Sequence, residues 1–337
     1  MKILVTGTAG FIGFHLANRL LNDGHAVIGV DSINEYYDLN LKYDRLHYAG
    51  VEKTEIAYAQ PASSKKFPLY IFYHARLEDK NLLEQIFTAE IPEMVINLAA
   101  QAGVRHSLEN PDAYISSNVN GFMNVLECCR RSNIKHLVYA SSSSVYGLND
   151  EIPFSTLQNT DRPISIYAAS KKSNEIMAHA YSYLFKLPAT GLRFFSVYGP
   201  WGRPDMALFI FTKAILQGKP IQLFNFGNML RDFTYIDDIV ESVVRIMHKP
   251  PKTAVPCKIY NIGNNAPIKL LEFVEAIESE LGLEAQKELL PLQPGDVPIT
   301  YADVSELVND IDFKPCTPVK EGVKKFIEWY KRHYKIS

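Results

Sequence analysis

Thr6-Gly7-Thr8-Ala9-Gly10-Phe11-Ile12-Gly13 is the stretch that decides the fold. An apolar run, Ile3-Leu4-Val5, precedes it, and the helical spacing from Phe11 to Leu21 follows, stopped near Gly24. Glycines let a backbone approach a pyrophosphate, and a helix N-terminus adds N–H donors and a positive dipole. The spacing is G-x-x-G-x-x-G rather than the commoner G-x-G-x-x-G, and a bare glycine pattern can be no more than a structural turn. Its place directly after a strand favours dinucleotide binding by Gly7, Gly10, Phe11, Ile12 and Gly13.

Outward from this loop, β-branched runs alternate with helical patterns over the first 200 or so residues. Ala26 to Asp31, Tyr70 to His74, Met94 to Ala99, His136 to Ser142 and Thr190 to Val197 read as strands. Their runs are continuous rather than alternating, as in a parallel sheet covered on both faces. The expected fold class is α/β, a Rossmann-like doubly wound parallel sheet with a smaller α/β substrate-binding domain. Past Val197 the texture changes, with Pro and Gly punctuating short elements, as in Gly199 to Pro204 and Pro291 to Pro298. The expected division is residues 1–196 for the dinucleotide and 197–337 mainly for the substrate, with returns to the first domain left open. Tyr58 to Lys66 reads as an exposed loop. Pro111 to Arg130 and Ser165 to Lys186 read as long helices.

Composition removes several classes. The 337 residues are 47% hydrophobic and 21% charged, with net charge −2. That balance carries no footprint for nucleic acid or an anionic membrane. The glycine-interrupted N-terminus does not read as a signal peptide, and no run is long enough to span a bilayer. Cys128, Cys129, Cys257 and Cys316 lack C-x-x-C spacing and read as reduced packing residues of a cytoplasmic protein. The nine histidines have no metal spacing, and His15, His25 and His136 read as helix or strand-edge residues.

Asp31 ends the second strand, where a carboxylate accepts from the adenosine ribose 2′-OH and repels a 2′-phosphate. NAD is therefore favoured over NADP, with a strand-end capping aspartate as the plainer alternative. Tyr167 and Lys171 lie one helical turn apart on one face, downstream of the serine run Ser141 to Ser144. A phenol titrates near ~10, and an ammonium with an oxidised nicotinamide nearby would lower it toward use as a base. A strand-end serine can relay the proton or polarise a carbonyl. Tyr-x-x-x-Lys alone is common on solvated helices. Here the glycine loop and the serine strand give it meaning.

These features, in this order, resemble the extended short-chain dehydrogenase/reductase superfamily along essentially the whole chain. More narrowly, the chain resembles the UDP-glucuronate 4-epimerases. The residues behind this are Leu98 to Arg105 (LAAQAGVR), Ser107 to Pro111 (SLENP), Ser141 to Gly147 (SSSSVYG), Arg193 to Asp205 (RFFSVYGPWGRPD), Arg231 to Asp238 (RDFTYIDD) and Pro294-Gly295-Asp296. The resemblance implies an isomerase that takes UDP-glucuronate to UDP-galacturonate through a 4-keto sugar, with NAD regenerated in each cycle. Related dehydratases carry Thr-Asp-Glu before Val-Tyr-Gly, and UDP-glucuronate decarboxylases carry Thr-Ser-Glu. The triplet here is Ser142-Ser143-Ser144, without an acid for elimination. An epimerase of another UDP-hexose, a UDP-glucuronate decarboxylase and a silent NAD-binding regulator stand as alternatives.

By the same resemblance Tyr167, Lys171 and Ser142 are catalytic. Leu77 and Asn118 join Tyr167 and Lys171 at the cofactor. Ser142, Ser143, Ser196 and Arg203 face the sugar and its carboxylate, Arg231 the diphosphate, Phe224 the uracil and Asp296 the UDP ribose. Phe224 could equally be core, and Arg231 could pair at the surface with Asp232. The long helices imply a four-helix homodimer interface. Two positions depart from the family. Ser196 stands where threonine is usual, which keeps the hydroxyl and drops the stiffening methyl. Arg76 stands where an aspartate normally accepts from the adenine amino group, which a guanidinium cannot do. It could stack on the adenine or point away.

Overall fold

Ile3, Leu4 and Val5 are all fully buried, Ile3 and Val5 in one apolar layer and Leu4 in another. That is the signature of a strand sandwiched between two sets of helices. The structure, a computed structural model, describes residues 1–336. It begins β1 (Lys2–Thr6), α1 (Phe11–Asn22), β2 (Ala26–Asp31), α2 (Leu39–Tyr48) and β3 (Pro61–Ser63). Then come β4 (Tyr70–His74), α3 (Lys80–Glu90), β5 (Met94–Asn97), α4 (His106–Glu109) and α5 (Pro111–Tyr114). A π-helical turn, Ile115–Asn120, leads into α6 (Gly121–Arg131), β6 (Leu137–Ser142), α7 (Ile166–Phe185) and β7 (Ala189–Phe194).

Beyond them lie β8 (Ser196–Tyr198), β9 (Ile221–Leu223), β10 (Leu230–Arg231), β11 (Phe233–Tyr235) and β12 (Cys257–Ile262), then β13 (Ile268–Lys269) and β14 (Lys287–Leu289). The main sheet has eight strands in the order β12-β7-β6-β5-β1-β2-β4-β3. All its pairings are parallel except that of β3 with β4. This is the doubly wound α/β arrangement. β12 reaches the sheet from far along the chain and pairs with β7. Three small two-stranded sheets, β10-β13, β11-β8 and β14-β9, build the remainder.

Three expectations change. Tyr58 to Lys66 is not wholly loop. Pro61–Ser63 is an antiparallel edge strand with Ala62 buried, and proline at its first position suits an edge. The Thr190 to Val197 run breaks at Phe195, where the chain leaves the main sheet. Ser196–Tyr198 then pairs with β11 instead. The helix expected over Pro111 to Arg130 contains the π-helical turn, which places the Asn118 carbonyl 2.6 Å from the Asn174 amide nitrogen on α7. Among the described residues, no helix is long and apolar enough to cross a membrane. All four cysteines are unbridged.

Candidate active site

The loops at the C-terminal ends of β1, β2, β4, β5, β6 and β7 open into one cleft of about 970 Å³. A doubly wound sheet presents ligands there because successive strands send their crossovers to opposite sides. At one end Gly7 has φ +80°, and a Cβ on Gly13 would lie 2.1 Å from the Gly7 carbonyl oxygen. Only glycine fits either place. Gly10 caps α1 without a side-chain hydrogen bond, so the first-turn N–H groups face the cleft free of side-chain acceptors. Phe11, Ile12, Asp31 and Leu77 line the same end. This cradle fits a dinucleotide pyrophosphate.

Asp31 is buried, and its carboxylate accepts from Ala9 N at 3.0 Å and Ile33 N at 2.8 Å. Lys42, unmarked in the sequence, lines the cleft beside it and donates to Asn34 Oδ1 at 2.6 Å. Burial pushes its amine down to about 8, opposed by the Asp31 charge. Arg76 is exposed and lies outside the cleft lining, whereas Glu78 lines it.

Asn118 is buried and does not line the cleft. Its amide nitrogen donates to the Gln101 carbonyl at 3.0 Å and to Ser170 Oγ at 3.0 Å, and its oxygen accepts from Gln101 N at 2.7 Å. These bonds hold the Leu98 to Val104 loop.

At the centre, α7 carries Tyr167 and Lys171 into the cleft opposite the serine run. The Ser165 hydroxyl accepts from Ala168 N at 3.1 Å and so caps this helix just before Tyr167 enters the lining. Ser142 Oγ accepts from Ser144 N at 3.1 Å. Ser141 turns the other way, donating to Glu175 Oε1 at 2.7 Å. Glu175 in turn holds Arg193 through paired 2.8 Å bonds, both side chains 3% exposed. The strand alternation thus gives Ser142 to the cleft and Ser141 to its support.

Burial raises the Tyr167 phenol above its ordinary value, offset in part by the Ser142 hydroxyl and the Arg203 charge. Lys171 points its amine at the Ala140 carbonyl, 2.9 Å away, and burial pushes it down to about 8. In the protein alone burial dominates and the phenol is not lowered; the lowering expected from sequence calls for the oxidised nicotinamide as well as the ammonium. A lysine at about 8 when folded and about 10.5 when unfolded prefers to fold neutral, at a cost of roughly 3 kcal/mol below pH 8. That cost fades as pH rises from about 8 toward 10.5, because the unfolded chain binds the extra proton there. Lys171→Met, measured without nucleotide, should accordingly melt higher than the parent at pH 7. The gap should close by pH 10, and a gap independent of pH would count against a charged, buried lysine.

At the far end Ser143, Ser196, Arg203, Phe224, Arg231 and Asp296 all line the cleft. Arg203 is engaged by Asp205, at 3.0 Å through Nε and 2.5 Å through Nη2, and Tyr36 OH donates to the same carboxylate at 3.0 Å. Arg231 does not pair with Asp232. It donates to Asp296 Oδ1 at 2.8 Å, while Asp232 is buried and accepts from the backbone N–H groups of Asn264, Asn265 and Ala302. Arg105 lays its guanidinium 4.5 Å from the Phe224 ring centroid and 3.7 Å from Asp296.

Sequence reasoning missed Tyr36, Lys42, Arg105 and Asp205 at this cleft. Only the quoted segments GVR and GRPD contained a signal, and neither marked a contact.

A family model described as "NAD dependent epimerase/dehydratase family" matches residues 3–263. The chain is 56% identical to "Protein CapI" of Staphylococcus aureus, over 99% of this chain and 100% of that one. It is 46% identical to a "Probable UDP-glucuronate 4-epimerase" of Rhizobium meliloti, over 99% and 98% of the two chains. The crystal structure of UDP-glucuronic acid 4-epimerase from Bacillus cereus, in complex with UDP-glucuronic acid and NAD, superposes with a TM-score of 0.88 at 30% identity. That match covers 99% of this chain and 100% of the other.

Proposed function

The chain belongs to the NAD dependent epimerase/dehydratase family, and from that premise we propose that it inverts C4 of UDP-glucuronate to give UDP-galacturonate. The observation that carries the choice of sugar is Arg203, a cation at the same cleft whose charge reaches Tyr167. The N–H groups that Asp205 leaves free on this guanidinium suit the C6 carboxylate of a glucuronate.

In this reading Tyr167 accepts the O4 proton and later returns it, with Ser142 sharing that proton. Lys171 bears on the phenol and the nicotinamide ribose. The glycine loop, Asp31 and Leu77 hold the cofactor, and NAD, when bound, would take the C4 hydride and give it back. The 4-keto sugar turns about its link to the diphosphate between the two transfers, inside one continuous cleft. Arg231 grips the diphosphate, with Phe224 and Asp296 at the uridine.

A 4-keto uronic acid is a β-keto acid, and it loses CO₂ when the bond to its carboxylate stands perpendicular to the carbonyl plane. Ser143, Ser196 and Arg203 restrain that carboxylate. Ser142-Ser143-Ser144 offers no carboxylic acid to drive elimination. The test is incubation of the purified protein with UDP-glucuronate, without added reductant, followed by separation of UDP-sugars and CO₂ detection. UDP-galacturonate with little CO₂ is expected. UDP-pentose with CO₂, or activity confined to neutral UDP-hexoses, would overturn the reading.

The same proposal includes a cytoplasmic homodimer. Ile115, Met123, Ile176, Tyr183 and Leu184, on the π-helical turn, α6 and α7, are exposed apolar residues. A patch of this kind favours self-association. Ile176→Glu is expected to shift the sedimenting species from dimer to monomer. A parent protein that sediments as a monomer at micromolar concentration would end the idea.

A further inference from the structure

Three successive carbonyls precede Arg203, and each is bound by a side chain from the cofactor half of the molecule. His15, on α1, lies 2.9 Å from the Pro200 oxygen through Nε2. A carbonyl can only accept, so Nε2 carries the proton, and burial keeps the ring neutral at pH 7 by pushing it down to about 4. Arg45, on α2, donates through Nη2 to the Trp201 oxygen at 2.7 Å and the Gly202 oxygen at 3.3 Å. The other end of the same guanidinium donates through Nη1 to the Ala9 oxygen at 2.8 Å and to Tyr37 OH at 2.7 Å. Ala9 belongs to the glycine loop, and its N–H is held by Asp31.

Arg45 has no solvent exposure, its four partners are all neutral, and its Nε is buried without a partner. Burying a cation this way is unfavourable, and an apolar residue of like size would fill the space at less cost. What an apolar residue lacks is a rigid fork that grips two loops at a fixed separation. The gripped segment needs such a hold. Trp201 stands at φ +60°, a conformation that a bulky non-glycine residue does not favour by itself.

We propose that Arg45 and His15 are positioning residues which hang the Gly199–Arg203 loop from the cofactor-binding loop and so fix the Arg203 guanidinium. What that guanidinium restrains, a sugar carboxylate, rests on the function proposed above. The linkage itself does not.

The test is hydrogen exchange on the full chain with and without NAD, together with product analysis. Arg45→Met should raise backbone exchange in both residues 7–13 and residues 199–203. His15→Leu should raise it in residues 199–203 and leave 7–13 alone. NAD should protect both segments in the parent, but only 7–13 in Arg45→Met. With UDP-glucuronate, the share of CO₂ among products should rise several-fold in Arg45→Met and partly recover in Arg45→Lys. Exchange in 199–203 unchanged in both variants would overturn the proposal. So would a uniform rise across the chain, which marks mere destabilisation. A parent that fails to act on UDP-glucuronate would sink the functional reading, while the exchange pattern would still decide the linkage. If Arg45→Met does not fold, His15→Leu carries the same test for one side of the loop.

Discussion

Tyr167→Phe is expected to lower turnover of UDP-glucuronate by about 10²–10⁴-fold, the usual worth of a positioned acid–base group. The change removes one oxygen from a half-buried ring whose edge packs against Tyr114, with centroids 6.1 Å apart. The ring stays and the packing with it, so melting temperature and NAD content should hold. What goes is a phenol that faces both the Ser142 hydroxyl and the Arg203 charge. Ser142 cannot take over, because its oxygen already serves the N–H of Ser144, and an alcohol is a far weaker acid than a phenol. Timed chromatography of UDP-sugars, with bound NAD counted in the same samples, reads the result. A variant keeping a tenth of parent activity would move the proton transfer to another group.

Arg193→Met is expected to cost about 3–5 kcal/mol of stability, the penalty for leaving one member of a buried ion pair uncompensated. Arg193 is the sole cation on Glu175 among the described residues, and both side chains are 3% exposed. Arg193 also donates to Tyr146 OH at 3.1 Å, and that hydroxyl donates to Asn261 on β12. One guanidinium thus joins β7 to α7 and, through Tyr146, to β12. The unfolding midpoint in urea should drop sharply. The double variant Arg193→Met with Glu175→Leu should recover most of the loss. A single variant within 1 kcal/mol or so of the parent would mean that the pair is not holding these elements. In the double variant activity should stay below what stability explains, since Ser141 loses its Glu175 anchor next to Ser142.

The glycine loop, the strand–helix alternation and the one-turn spacing of Tyr167 and Lys171 are all legible in the amino-acid sequence. Each is a local pattern. A run such as Ile3-Leu4-Val5 followed by Gly7 and Gly10 has few ways to fold, and residues four apart on a helix share a face whatever surrounds them. The same locality explains where the sequence misleads. Thr190 to Val197 has unbroken strand character, and nothing within it announces that Phe195 is where the chain changes sheets. The break occurs because β11, roughly forty residues later, offers Ser196–Tyr198 a partner. Nor does anything near Asn118 announce that its side chain is bonded to Gln101 and Ser170, on separate elements.

The sequence by itself therefore determined the class of fold, the place of the dinucleotide cradle and the helix face bearing the tyrosine and lysine. These follow from backbone periodicity and from the special freedom of glycine, which act over a few residues. Only the tertiary structure decided that Asp205 is shared by Arg203 and Tyr36, that Arg105 covers Phe224, and that Arg45 binds residue 9 and residues 201–202 at once. Those contacts join side chains far apart in sequence. Their partners are set by which loops the closed sheet brings together, and a buried charge must then find its hydrogen bonds among whatever groups arrive there.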